Sequence, residues 1–180
     1  MRAFLNVHPR LQLLMIVGIS AVSLAGAWLL FQGARDGGLW ATTNHGRFVQ
    51  PPVTVEELGI ASATDEPLEA GKWWLWVVPQ GPCDQTCRNA LYQLRQLHVL
   101  LNRDAARVRR ALLGAQPADA AELTETYPRL QMLSGNLSSL DRGIYIVDPL
   151  GNLVFYYTFD QGADDILDDL ERLLKVSQIG

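Results

Sequence analysis

The chain has 180 residues, a net charge of −4, 48% hydrophobic residues and two cysteines. That length leaves room for one domain and a smaller addition, and two cysteines are too few for a disulfide framework, so an apolar core must hold the fold. An acidic balance without a basic stripe argues against nucleic acid as a partner.

The addition is N-terminal. Leu11–Phe31 (LQLLMIVGISAVSLAGAWLLF) runs 21 residues without a charge, about the length that crosses a hydrocarbon core as a helix. Arg2 and Arg10 precede it with no acid between them, and Arg35 and Asp36 follow as an offsetting pair. The positive-inside bias makes residues 1–10 a cytoplasmic tail and residues 11–31 a single transmembrane anchor, with the remainder outside. Trp28 and Trp40 suit the outer interface. Ala25-Gly26-Ala27 also fits a signal-peptide cleavage site. Cleavage there would leave Trp-Leu-Leu-Phe as an exposed terminus, and the apolar run is long for a signal, so the anchor is expected to stay. In either case the folded part lies where a disulfide persists. Without Arg2 and Arg10 it carries 13 basic and 19 acidic residues.

Residues 32–52 read as an extended tether, with Gly33, Gly37 and Gly38 followed by TTNHGRFVQPP. The domain occupies residues 53–180. Lys72–Val78 (KWWLWVV) is its strongest strand signal. Trp73, Leu75 and Val77 take one face and Trp74, Trp76 and Val78 the other, both apolar, as in a central strand covered on two sides. Pro79-Gln80-Gly81-Pro82 stops it. Asp84 is a good N-cap for a helix to about Asn102, with Leu91, Leu94, Leu97 and Leu101 at helical spacing.

Arg107–Leu113 reads equally as helix or strand, and Ala118–Thr126 as a short helix stopped before Pro128. Gly143–Val147 and Leu153–Tyr157 form a hairpin around Asp148-Pro149-Leu150-Gly151-Asn152. Gly162–Val176 closes the chain as an amphipathic helix with an apolar stripe of Ile166, Leu167, Leu170, Leu173 and Leu174. Its charges follow the helix dipole, Asp164 and Asp165 early and Arg172 and Lys175 late. Together these elements make an α/β, thioredoxin-like sandwich, a central mixed sheet flanked by helices, behind the N-terminal transmembrane helix.

The chemistry concentrates in PQGPCDQTCRNAL, residues 79–91. Cys87 is the third residue of the predicted helix and Cys83 stands just before the cap. The positive end of a helix favours thiolate over thiol. A thiolate serves both disulfide exchange and Cu(I) coordination. A permanent structural disulfide is the third possibility, although closing so small a loop constrains the unfolded chain only modestly.

The order of these parts resembles the SCO (synthesis of cytochrome c oxidase) family of membrane-anchored copper chaperones, and especially its shorter SCO-like relatives of bacterial cytochrome oxidases. The matching features are the anchor, the tether TNHGRFVQPP, Gly71-Lys72 before a strand, CDQTC, and GIYIVDPLGNLVFYY followed by a helix. They span roughly residues 40–176. The resemblance implies that Arg107–Leu113 is a strand. It further implies that Cys83 and Cys87 are the metal-binding and redox thiol pair, that the cargo is copper, and that cytochrome c oxidase subunit II or another assembly factor is the partner. The location implied is the bacterial cytoplasmic (inner) membrane, with the C-terminal domain in the periplasm.

Two family features are missing. The ligand histidine before the late hairpin corresponds to Leu140 or Arg142, depending on which aspartate is aligned, and the proline after the second cysteine is replaced by Arg88. The remaining histidines are poor substitutes: His8 is cytoplasmic, His98 lies about 16 Å along the helix axis from Cys87, and His45 reads as a turn residue on the tether. Two thiolates alone suit Cu(I) and not Cu(II). The acidic group Asp160, Asp164, Asp165, Asp168 and Asp169 reads as a solvated helix start. Arg103, Arg107, Arg109 and Arg110 read as a solvated edge. Alternatives to an oxidase-assembly role are a general periplasmic thiol–disulfide oxidoreductase and a degenerate scaffold with idle cysteines.

Overall fold

A computed structural model describes residues 9–35, 43–62 and 68–177; Arg2, His8, Asp36, Gly37, Gly38 and Trp40 lie outside them. The chain divides into two compact units, Met1–Thr43 and Asn44–Gly180.

In the first unit, α1 (Pro9–Arg35) is long and apolar enough to cross a membrane. Its leucines, isoleucines and valines are exposed around the whole helix, as expected of a helix solvated by lipid and not by a protein core. Ser20 and Ser23 donate their hydroxyls to the carbonyls of Ile16 and Ile19, four residues back, so neither needs water. This helix fits a single-pass membrane protein.

The second unit is a mixed seven-stranded sheet with helices. Its elements are β1 (Arg47–Phe48), β2 (Ala61–Ser62), β3 (Trp73–Val78), α2 (Gln85–Leu100), a 3₁₀ turn (Asn102–Arg107), β4 (Val108–Leu113), α3 (Pro117–Thr126), β5 (Leu130–Ser134), β6 (Gly143–Val147), β7 (Leu153–Tyr157) and α4 (Ala163–Val176). The strand order is β1-β7-β6-β3-β4-β5-β2. β3 is parallel to β4, β4 is parallel to β5, and β6 lies antiparallel to both β3 and β7.

β3 is central and buried along its whole length, as its two apolar faces require. Trp73, Leu75 and Val77 pack with Leu91, Leu94 and Leu97 of α2 and with Ile166, Leu170 and Leu174 of α4. Trp74, Trp76 and Val78 pack on the opposite face with Leu58, Ile60 and Leu140, on chain without helix. Each large side chain so buried contributes about 1.5–3 kcal/mol. The predicted hairpin forms between the two strands named for it, β6 and β7. Gly143 opens β6 tight against β7, where a Cβ would collide with the Tyr157 carbonyl and the Tyr156 ring.

Four differences from the sequence reading have physical causes. β5 was not predicted: five residues with polar Gln131 and Ser134 carry little periodicity, and the strand exists by pairing with β4. β1 lies within the stretch read as tether and pairs with β7, Arg47 opposite Tyr156 and Phe48 opposite Phe155.

Asp169 does not belong to a solvated helix start. It is 1% exposed, and its Oδ2 accepts from the His45 and Gly46 amides and the Tyr157 hydroxyl, each at 2.8 Å. The basic group is not one edge either. Arg107 donates to the Leu174 and Ser177 carbonyls at the end of α4, Arg109 pairs with Glu69 at 2.7 Å, Arg103 is exposed, and Arg110 is buried.

Candidate functional site

Cys83 and Cys87 are joined in a disulfide with Cα atoms 5.3 Å apart. The sequence dictates this in three steps. β3 ends at Val78 and the chain must turn at once. Gln80 at φ 55° and Gly81 at φ 145° make that turn, the latter in a region that favours glycine. Asp84 then caps α2, its Oδ1 accepting from the Cys87 amide at 3.0 Å. The cap sets Cys87 in the first turn and brings Cys83 back over it. Both cysteines are buried, Cys83 at 4% and Cys87 at 0% exposure, so Cys83 is the less buried residue of the two.

Five charged side chains surround the pair. Arg142 places Nη2 2.6 and 2.8 Å from the Asp84 oxygens and its guanidinium 5.2 Å from the centre of the Phe159 ring. The Cys87 amide and then Arg142 hold the Asp84 carboxyl below its ordinary pKa. On the other flank, Asp119 of α3 accepts from the Cys83 amide at 3.1 Å. Arg88 sits 3.6 Å from Asp119 and 2.6 Å from Glu122, and the Glu122 hydrogen bond raises its pKa. Asp119 and Glu122 are partners that sequence reasoning missed, because no local pattern links α3 to a loop more than thirty residues earlier.

Of the two positions that correspond to the family's histidine, Leu140 is buried in the core, and its carbonyl accepts from Gln80 at 2.6 Å. Arg142 is the one whose side chain reaches the cysteine loop. A guanidinium is not a metal ligand, since it has no acceptor. His45 stands instead with Nδ1 3.3 Å from Asp165 of α4. His98 is half-buried near the end of α2. Among the described residues no group of three or more His, Cys, Asp or Glu side chains converges as a metal site. Two sulfurs at a helix N-terminus, ringed by two cations and three carboxylates, therefore form the donor set. When reduced, they suit disulfide exchange or a two-coordinate soft cation.

A family model described as transmembrane-like, thioredoxin-like, C-terminal domain matches residues 73–177. No curated protein matches by sequence. Similar solved structures include ScoI of Arabidopsis thaliana with copper bound, at 13% identity and a TM-score of 0.52, over 70% of this chain and 98% of that one. BsSco, described as a member of the Sco family of cytochrome c oxidase assembly proteins with a disulfide switch, matches at 15% identity and a TM-score of 0.50, over 76% and 98%. An uncharacterised thioredoxin-like protein from Porphyromonas gingivalis matches at 14% identity and a TM-score of 0.50, over 64% and 88%. These likenesses establish a shared fold.

Proposed function

The chain belongs to the family of transmembrane-like proteins with a thioredoxin-like C-terminal domain, and from that premise we propose that it is a membrane-anchored thiol–disulfide partner in cytochrome c oxidase assembly. In this reading residues 11–31 anchor it in the bacterial inner membrane, the tether starts at residue 32 and ends where β1 joins the sheet, and the domain works in the periplasm. The observation that carries the reading is the Cys83–Cys87 disulfide, set on the first turn of α2 at the end of the central strand.

The reduced pair acts first through Cys83, the less buried residue and the one just ahead of the helix. Its thiolate attacks one sulfur of a disulfide in oxidase subunit II or another assembly factor, forming a mixed disulfide and releasing one partner thiolate. Cys87 then attacks Cys83, closing Cys83–Cys87 and releasing the second partner thiol. Two electrons pass to the partner, whose cysteines become able to take copper, and the chain ends in its disulfide form. The α2 N-terminus and the Arg142 and Arg88 guanidinia favour the thiolate, while Asp84 and Asp119 hold the loop through its amides.

A second reading, supported by the copper-bound Arabidopsis structure, makes Cu(I) a cargo held between the two reduced thiolates. The two are separable. With Cys87→Ser, Cys83 should trap a mixed disulfide with its partner in cells, identifiable by mass spectrometry after alkylation. The reduced full-length chain in detergent micelles, titrated with Cu(I) against a chromogenic chelator, tests the cargo directly, with Cys83→Ser/Cys87→Ser alongside. Normal oxidase assembly in cells carrying that double variant would sink both readings.

A further inference from the structure

β4 directs Arg110 to the same face as Val108 and Leu112, opposite Leu75 of β3 and Leu130 of β5. It is 7% exposed. A guanidinium cannot shed its proton to escape burial, so one in this position is ordinarily paired with a carboxylate. Among the described residues the Arg110 side chain has neither an ion pair nor a hydrogen bond, and it opens onto a cavity. Its charged neighbours are Arg95 of α2 and Arg129 ahead of β5, and burial followed by these two cations lowers its pKa. His98 faces the same space with its Nδ1 buried and unpartnered. Its pKa is lowered by burial and then by Arg110, Arg109 and Arg129. Among the described residues Arg109 alone of these groups has an acid, Glu69.

The space is a cavity of about 620 Å³, lined by His98, Arg110, Arg129 and Gln131 with apolar walls from Val108 and Leu130. Two guanidinia and a neutral imidazole, from β4, the turn before β5 and α2, converge here, and among the described residues no carboxylate pairs with them. Two guanidinia and an imidazole match the charge and the several acceptor oxygens of a phosphate group. A volume of this size exceeds that group and falls in the range of small-molecule sites, with apolar wall left for an organic substituent.

We propose that this cavity is a binding site for a phosphate group, carried by a small phosphomonoester or a phospholipid headgroup, with Arg110 as its central ligand and Arg129 and His98 completing it. The site is separate from the cysteine pair. The bound oxyanion supplies the counter-charge that Arg110 lacks, and it draws a proton onto His98 by reversing the local field.

The test uses the full-length chain in phosphate-free detergent micelles, titrated calorimetrically with inorganic phosphate and phenyl phosphate. The same chain in nanodiscs is compared with and without phosphatidic acid, following the His98 imidazole by NMR with His98→Gln for assignment. Saturable binding in micelles, with the His98 titration moved to higher pH, assigns a soluble phosphomonoester. The same shift only in phosphatidic acid discs assigns a lipid headgroup. Either supports the site if Arg110→Leu weakens it by about tenfold or more. Should Arg110→Leu fail to fold, Arg129→Ala, at an exposed residue, must weaken it instead. No saturable response in either setting, or a response unchanged in these variants, overturns the proposal.

Discussion

Arg142 and Asp84, 58 residues apart, form an ion pair with N–O distances of 2.6 and 2.8 Å. The same Asp84 carboxylate caps α2 through the Cys87 amide. The pair thus ties the segment before β6 to the turn that carries the disulfide. Arg142→Ala leaves the carboxylate uncompensated beside the reduced thiols, which raises the pKa of the attacking one. Alkylation of the reduced protein near neutral pH should slow by up to about tenfold, one pKa unit. An unchanged rate would show that the ion pair does not act on the thiols.

The same pair sets an acid dependence. The Asp84 pKa is depressed in the folded state, by the Cys87 amide first and Arg142 second. Its contribution to stability is therefore present above its unfolded value, about 3.9, and is lost as pH falls through the lower folded value. Arg142→Ala should shrink that acid-limb loss in thermal melts, and an acid limb identical to wild type would contradict it.

His98 gives the opposite residue type with the same sign of slope. Its folded pKa is lowered by burial and by Arg110, Arg109 and Arg129, so the unfolded chain takes up the proton first. Stability is full above the unfolded value of about 6.5 and falls as pH drops below it. Between about pH 7.5 and about pH 5.5 the wild-type melting temperature should decline, and His98→Gln should flatten the decline. If the variant keeps the whole slope, other groups account for it.

Asp169 joins α4, β7 and the segment before β1 through one carboxylate oxygen. Burial first, and then Asp169, push the Tyr157 hydroxyl's pKa up, so it remains a donor throughout the working range. Asp169→Ala strands two amides and a hydroxyl and should cost about 3–5 kcal/mol in denaturant unfolding. Asp169→Asn, which keeps an acceptor oxygen, should cost less. Equal losses in the two variants would show that the charge, not the acceptor, matters.

Gly143→Ala would press a methyl group against the Tyr157 carbonyl and the Tyr156 ring. One contact is backbone in the β6–β7 pair, so relief requires the hairpin to shift. The expected loss is about 1–3 kcal/mol, read from thermal or denaturant unfolding. A melting temperature equal to wild type would mean that the hairpin yields freely.

The sequence by itself determined the elements whose signal is local. The unbroken apolar run of α1, the doubly apolar β3, the β6–β7 hairpin around its Asp-Pro-Leu-Gly-Asn turn, and the leucine stripes of α2 and α4 all repeat within a few residues. Asp84 as N-cap was legible for the same reason, and it fixed the cysteines at the start of α2. Only the tertiary structure decided what depends on distant partners. β1 and β2, two residues each, and the weakly patterned β5 exist because a neighbouring strand supplies their hydrogen bonds. The fate of a charge is set likewise. Asp169 turned inward because two amides and a tyrosine hydroxyl meet it, Arg142 reached Asp84 across 58 residues, and Arg110 was carried under α2 by the strand on which it lies. Composition counts these charges alike, but folding chooses which of them water, a counter-ion or a buried donor will answer.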